Sequence, residues 1–251
     1  MMKRTERVEE SVVRRKTVTS FLVFGLLTGL VMFGWWKLYR TPQSDGSVRP
    51  QLRRVFEANE KVARSVFGKE RMAKTYPLSA AVKNVRVNGR YGLAGSADTS
   101  SWRLRVARSA GDSLVLSLND IRKLPKTEIV FDFKCIEGWD QVTHWGGVRF
   151  ADFVKHYSLR AASGRDYTGL STPDGQYYVG IDHESMMHPQ TLLCYEVNGK
   201  PLPQDQGFPL RLIIPVKYGI KHLKRIGTVY FSDAKPRDYW AERGYDYHSG
   251  H

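Results

Sequence analysis

The chain has 251 residues, 39 Lys plus Arg against 25 Asp plus Glu, and two cysteines. Its 41% hydrophobic and 12% aromatic content excludes a disordered chain, and two cysteines exclude a disulfide-dense scaffold or a four-cysteine metal site. Of the net charge of +14, residues 1–79 hold +9 and residues 166–251 hold −1; stacking aromatics and a docking motif are not evident beside the basic clusters, so no nucleic-acid partner is expected.

Residues 17–36, TVTSFLVFGLLTGLVMFGWW, carry no charge. Twenty helical residues at about 1.5 Å each span about 30 Å, the thickness of a bilayer core. Trp35, Trp36 and Tyr39 close this stretch as interfacial aromatics do. A signal peptide would have a shorter apolar core and a small-residue cleavage site, whereas WWKLYRTP follows here. The expectation is an uncleaved anchor at 17–39 after a basic cytoplasmic tail at 1–16. Six Lys or Arg precede the span, against three in the fifteen residues after it. This bias puts the body outside the cytoplasm, on a single-pass inner-membrane protein. Arg14-Arg15 permits twin-arginine export of a folded body. Gly25 and Gly29 form a GxxxG pair, a pattern that packs membrane helices or arises incidentally.

Residues 41–49 read as a linker. Residues 50–74 carry a helical stripe of Leu52, Val55, Phe56, Asn59, Val62, Ala63, Val66 and Phe67. The expectation is an amphipathic helix that docks this stripe onto the body, completing a connecting segment at 40–79. From residue 80 to 251 the pattern is mixed. Trp102, Leu104 and Val106 alternate as in a half-buried strand. Ser117 to Asp120 reads as a capping box opening a short helix that ends near Pro125. Strands are expected at Thr127–Phe133, at 192–197 before an Asn198-Gly199 turn, at Arg211–Val216 and at Gly227–Phe231, with a helix at 150–157. The fold class expected is α+β with a mixed sheet.

Cys135 follows a strand, with Gly138, Gly146 and Gly147 nearby to permit unusual backbone geometry. Two readings stand for it: a sulfur presented to a ligand, or a small buried hydrophobe. There is no HExxH, P-loop or GxGxxG motif. His248 and His251 sit in a tail expected to fray.

KCIEGW with Trp145 ten residues after the cysteine, followed by YEVNGKPLPQDQGFPLRLIIPVKYGIKHLKRIG, resembles the molybdopterin-binding domain of the sulfite oxidase superfamily over roughly residues 80–235. In its cysteine loop the chain is similar to the periplasmic protein-methionine-sulfoxide reductases rather than to sulfite oxidases. Sulfite oxidases carry an arginine in this loop that helps hold the sulfite anion, where this chain has Glu137 and Asp140. The resemblance implies a single pyranopterin holding molybdenum, with Cys135 as the protein's thiolate ligand. It implies cofactor contacts from Asn88, Tyr91, Gly92, Thr172, Gln206, Arg211 and the triplet His222-Leu223-Lys224. Arg211 and Lys224 would serve the pterin phosphate, and Tyr91 would join Cys135 at the reacting centre. Three positions depart from the pattern: Gly92 stands for a glutamate, Gln206 for an asparagine or histidine, and His222 for a glycine. Cys194 reads as core, with no disulfide to Cys135.

The resemblance implies oxygen-atom transfer, with reduction of a small-molecule or protein sulfoxide favoured. Electrons would be exchanged with a haem-b membrane subunit or a cytochrome. The departures keep open a non-catalytic subunit of a membrane complex, and a sulfite dehydrogenase-like enzyme is the other alternative. Substrate selection is expected in loops near 90–100 and 160–190.

Overall fold

Local signals set most element boundaries. In the computed structural model, residues 9–41, 49–67, 71–109 and 111–251 are described; the start of the basic tail and most of the 41–49 linker lie outside them. Helix α1 (Glu10–Arg40) is long and apolar enough to cross a membrane, and none of its residues is buried. Helix α2 (Pro50–Phe67) begins on Pro50, the first-turn position that suits proline because its missing N–H would have no partner there. It is shorter than the expected 50–74.

The docking expectation for α2 is corrected. Leu52, Val55 and Val62 are exposed, and the helix meets the body through its polar side instead. Arg53 donates to the carbonyls of Ala241 (2.7 Å) and Tyr245 (3.2 Å), and Glu57 pairs with Lys235 at 3.6 Å. The body presents carbonyls and charges that meet the polar face, while Phe56 of the stripe is half-buried and the side chains of Ala63, Val66 and Phe67 lie outside the described residues. The chain joins the body near residue 71 rather than 80: Gln190 bonds both the N–H and the carbonyl of Ala73, and Tyr76 N donates to Val130 O.

The body runs β1 (Leu104–Ser109), β2 (Asp112–Leu116), α3 (Leu118–Arg122), β3 (Thr127–Lys134), β4 (Asp140–Arg149), α4 (Phe150–His156), α5 (Arg160–Ser163), β5 (Tyr167–Ser171), β6 (Tyr178–Asp182), α6 (His183–Met186), β7 (Leu192–Val197), β8 (Lys200–Pro201), β9 (Arg211–Ile213) and β10 (Thr228–Ser232). One sheet has the order β2-β1-β10-β5-β6 and is mixed, because β1 pairs parallel with β10. The other, β3-β4-β7-β8 with β9 also on β7, is antiparallel. Ser117 caps α3 in a reciprocal box with Asp120. Asn198 and Gly199, at φ of 51° and 70°, make the tight turn between β7 and β8. Strand β9 is shorter than the expected Arg211–Val216 and ends before Pro215, which has no N–H to give a ladder.

The second sheet is apolar on both faces. Along β7, Leu193 and Tyr195 enter the main core, which both sheets share with α4. Leu192, Cys194 and Val197 enter a smaller cluster with Ile129, Phe131 and Trp145 on the opposite face. Opposite Gly146 and Gly147 the strand β7 carries one extra residue, Tyr195, and this bulge lets Val197 join the smaller cluster although it shares the parity of Leu193 and Tyr195. Gly147 serves close approach, since a Cβ there would lie 2.2 Å from Leu193 O. Of the three glycines near Cys135, Gly138 alone has a positive φ, 86°.

The tail does not fray. Lys217, 2% exposed, donates to Asp182 Oδ2 at 2.7 Å with His248 Nδ1 beside it, and Tyr218 N donates to Ser249 O. Lys221 pairs with buried Asp238 at 2.5 Å.

Candidate active site

Strand parity aims the cysteine. Ile129, Phe131 and Phe133 share one face of β3, and Cys135 continues their two-residue period one step beyond the strand. The hairpin loop then closes on it, with Cys135 N donating to Trp139 O (2.8 Å) and Gly138 N to Cys135 O (3.1 Å). On β4 the cross-strand partners Gln141, Thr143 and Trp145 face the same way. Arg211 shares its face of β9 with Ile213, so it too points away from the main core.

These side chains wall a cavity of about 240 Å³. Its far side is the irregular segment 82–91, which makes no ladder. Side chains satisfy that segment's backbone: Asn198 Nδ2 reaches Val82 O and Lys83 O, Gln206 Nε2 reaches Val85 O and Arg86 O, and Gln141 Oε1 accepts from Arg86 N. Gly219, Ile220 and His222 and the aromatics Tyr177, Trp240 and Tyr245 complete the wall.

Seven of the expected site residues meet at this cavity: Asn88, Tyr91, Cys135, Gln206, Arg211, His222 and Lys224. Asn88 Nδ2 lies 3.4 Å from Cys135 Sγ and 3.2 Å from Glu137 Oε2, and Trp139 Nε1 also donates to Glu137. Burial raises the Cys135 thiol above its ordinary value, against the lowering effect of the Glu137 N–H. Arg211 is 2% exposed, lies 4.5 Å over the Trp145 ring and donates to both the carbonyl and the side-chain oxygen of Gln206. Burial brings its guanidinium down to about 10, and its Nε has no partner. Tyr91 is half exposed and packs on Tyr239, with ring centroids 4.9 Å apart.

Lys224 is spent on backbone. Its ammonium donates to the carbonyls of Asn88 (2.6 Å), Asp205 (2.9 Å) and Gly89 (3.1 Å). Burial, then the charge of Arg211, brings it down to about 7. Both ring nitrogens of His222 are likewise engaged by backbone. Its Nδ1 accepts from Ile214 N and its Nε2 faces Lys217 O, so the neutral Nε2–H tautomer fits; burial and then Arg211 push it down to about 3.

The other three stand behind the wall. Leu223 lies in the main core. Thr172 Oγ1 donates to Asp174 and accepts from Tyr177 N, closing a turn. Gly92, at φ 70°, packs against Thr172, and a Cβ there would lie 2.3 Å from Thr172 Cγ2. That contact accounts for glycine where the resemblance has glutamate.

Arg86, whose guanidinium stacks 4.5 Å over Trp139, and the buried Tyr177, whose hydroxyl donates to Ile220 O, also line the cavity. Sequence reasoning passed over both, because neither carries a motif. Cys194 is fully buried, its thiol pushed up to about 12 by burial, and both cysteines are free. Among the described residues no group of three or more His, Cys, Asp or Glu is placed to hold a metal.

The profile of the family described as "Oxidoreductase molybdopterin binding domain" matches residues 91–240. The chain is 31% identical over 208 residues to the putative protein-methionine-sulfoxide reductase subunit YedZ1 of Azospira oryzae, covering 82% of this chain and 78% of that protein. It is 33% identical over 162 residues to the protein-methionine-sulfoxide reductase catalytic subunit MsrP of Campylobacter jejuni, covering 59% of this chain and 54% of that protein. Mitochondrial sulfite oxidase of Rattus norvegicus is 33% identical over 175 residues, 59% of this chain and 32% of its own. The chain thus spans about half of MsrP and a third of sulfite oxidase. The sulfane dehydrogenase SoxCD of Paracoccus pantotrophus shares the fold, with a TM-score of 0.51 at 16% identity over 66% of this chain and 46% of that one. This chain belongs to the oxidoreductase molybdopterin-binding domain family, of sulfite oxidase type, and is a molybdopterin-dependent oxidoreductase.

Proposed function

We propose that the chain is a sulfoxide reductase anchored by α1 in the inner membrane, with its body on the extracytoplasmic side. The residues present suit the cofactor. The Cys135 thiol enters the cavity, and Arg211 holds a buried N–H without an acceptor, which an anionic group would satisfy. When bound, molybdenum-molybdopterin supplies two-electron oxygen-atom transfer. Cys135 would be its thiolate ligand, since a coordinating thiol loses its proton. The Asn88 amide would donate to that sulfur, and Arg211, tied to Gln206, would meet the phosphate. Lys224 holds 88–89 in place rather than offering a vacant charge.

The observation that carries the substrate class is Glu137. Its carboxylate shares the Asn88 amide with Cys135. Like charges about 4 Å apart repel by about 4 kcal/mol near a protein surface, so an anion is disfavoured and a neutral sulfoxide is not. The reaction takes a sulfoxide, two electrons and two protons to the corresponding thioether and water. The half-exposed Tyr91 hydroxyl would pass a proton from solvent. Electrons would come from a haem-b membrane subunit or a cytochrome, which confinement to one membrane brings to high effective concentration.

The test is full-length protein from a cofactor-competent host, assayed for metal and pterin and for methionine sulfoxide turnover with an artificial electron donor. The wild type is expected to hold molybdenum and reduce the sulfoxide, and Cys135→Ser to keep pterin while losing turnover. A wild type that never holds molybdenum refutes the reading. Arg86 supports a second reading, as a cation at the cavity that would suit sulfite. If sulfite is the substrate, Arg86→Ala raises its KM tenfold or more; if a sulfoxide is, the variant changes turnover little.

A further inference from the structure

Leu52 and Val55 of α2 are exposed, and the junction with α1 says what they meet. Arg49 donates to Leu38 O and lies 5.1 Å over the Tyr39 ring, while Gln51 Nε2 donates to Thr41 Oγ1 at 2.8 Å. The first turn of α2 is therefore stitched to the last turn of α1, beside the interfacial Trp36 and Tyr39. On the other side, Arg53 bonds the carbonyls of Ala241 and Tyr245, adjoining or belonging to cavity-lining residues, and Glu57 pairs with Lys235. Leu52 is 53% and Val55 54% exposed between these two attachments.

We propose that α2 lies in the plane of the membrane surface, with Leu52 and Val55 in the boundary between headgroups and acyl chains, and holds the cavity rim near the bilayer. This rests on the reading of α1 as a membrane span. An 18-residue helix is about 27 Å long, enough to act as a splint under the body. Amphipathic helices bind such surfaces by burying their apolar face about 5–10 Å deep. A helix pinned at the end of a span starts at that surface, whereas a protein partner would have to reach it there. Fixing the body this way keeps the wall at Trp240 and Tyr245 close to electron carriers in the same membrane.

The test places one spin label at a time on the full-length chain in phosphatidylcholine–phosphatidylglycerol bilayers, through Leu27→Cys, Leu52→Cys, Val55→Cys and Lys61→Cys. The unsubstituted chain is the blank that measures and subtracts any label taken up by Cys135, which enters the cavity, or by the fully buried Cys194. The expected result is labels at 27, 52 and 55 accessible to oxygen and shielded from a water-soluble nickel chelate, with 27 deepest and 61 open to the chelate. Labels at 52 and 55 as open to the chelate as 61, with 27 embedded, overturn the proposal and leave the anchor standing. Labels at 52 and 55 shielded from both reagents mean a protein covers the face, which also overturns it. A label at 27 open to the chelate overturns the anchor reading and this proposal together.

Discussion

At the residue scale, burial decides what each polar side chain can do. Arg211 and Lys224 look alike in sequence, as cations in one motif. The fold leaves Arg211 an orphan Nε and gives Lys224 three carbonyls. His222 sits in the same motif, but its ring is a brace between Ile214 N and Lys217 O. Protonating Nδ1 would remove the acceptor for Ile214. Its folded value, about 3, lies below an unfolded value of about 6.5. Its contribution to stability is therefore complete above about pH 6.5 and lost as pH falls toward 3. Denaturant midpoints of the wild type are expected to fall across this window. His222→Gln is expected to be less stable at pH 7 but flatter over it; an unchanged slope would show that another group carries the effect.

At the element scale, the cysteine's direction is legible in the sequence. The run Ile129, Phe131, Phe133, Cys135 shows the parity that points the thiol at the cavity, since successive strand residues alternate faces. The capping box at Ser117 and the Asn198-Gly199 turn were read correctly, because both depend on local geometry alone. Strand β4 was not anticipated. Its polar residues Gln141 and Thr143 face a cavity rather than solvent, so its alternation does not read as apolar against polar. The glycine of Gln206-Gly207-Phe208 has a comparable tertiary role. Gly207 has φ 98°, and a Cβ there would lie 2.8 Å from Lys224 Cβ and 2.9 Å from Arg225 N. Gly207→Ala is expected to destabilise the fold by about 1–3 kcal/mol from backbone strain. Because it displaces Lys224, it should also lower molybdenum content. Equilibrium unfolding and metal analysis check the two effects separately.

At the scale of the whole molecule, buried ion pairs join the C-terminal segment to the site. Asp238 accepts from Lys221 and from Gly180 N, and Ala241 N donates to its other oxygen. Lys221 adjoins His222 in the cavity wall, so this pair sets the wall's position from behind. Lys221→Met leaves a buried carboxylate without its cation and is expected to cost about 3–5 kcal/mol. A loss under about 1 kcal/mol in urea denaturation would contradict that role. Nearby, burial raises Asp182 but Lys217 and His248 outweigh it, holding the carboxyl below the usual carboxylate range. Its contribution is therefore present above about pH 4 and lost only under stronger acid.

The sequence alone determined what rests on local order. It showed an apolar stretch long enough to cross a membrane, the uneven distribution of charge, the main strand candidates and a motif specific enough to identify the family. The tertiary structure decided what depends on convergence. Segments 82–91, 135–145, 206–224 and 240–245 meet at one cavity, though no periodicity links them. Packing placed Thr172, Gly92 and Leu223 behind the wall, bound Lys224 to carbonyls and left Leu52 and Val55 of α2 exposed. The physical reason is common to all of these: a side chain's partner across a hundred residues is set by which surfaces fit, and a one-dimensional pattern records only that the side chain is apolar or charged.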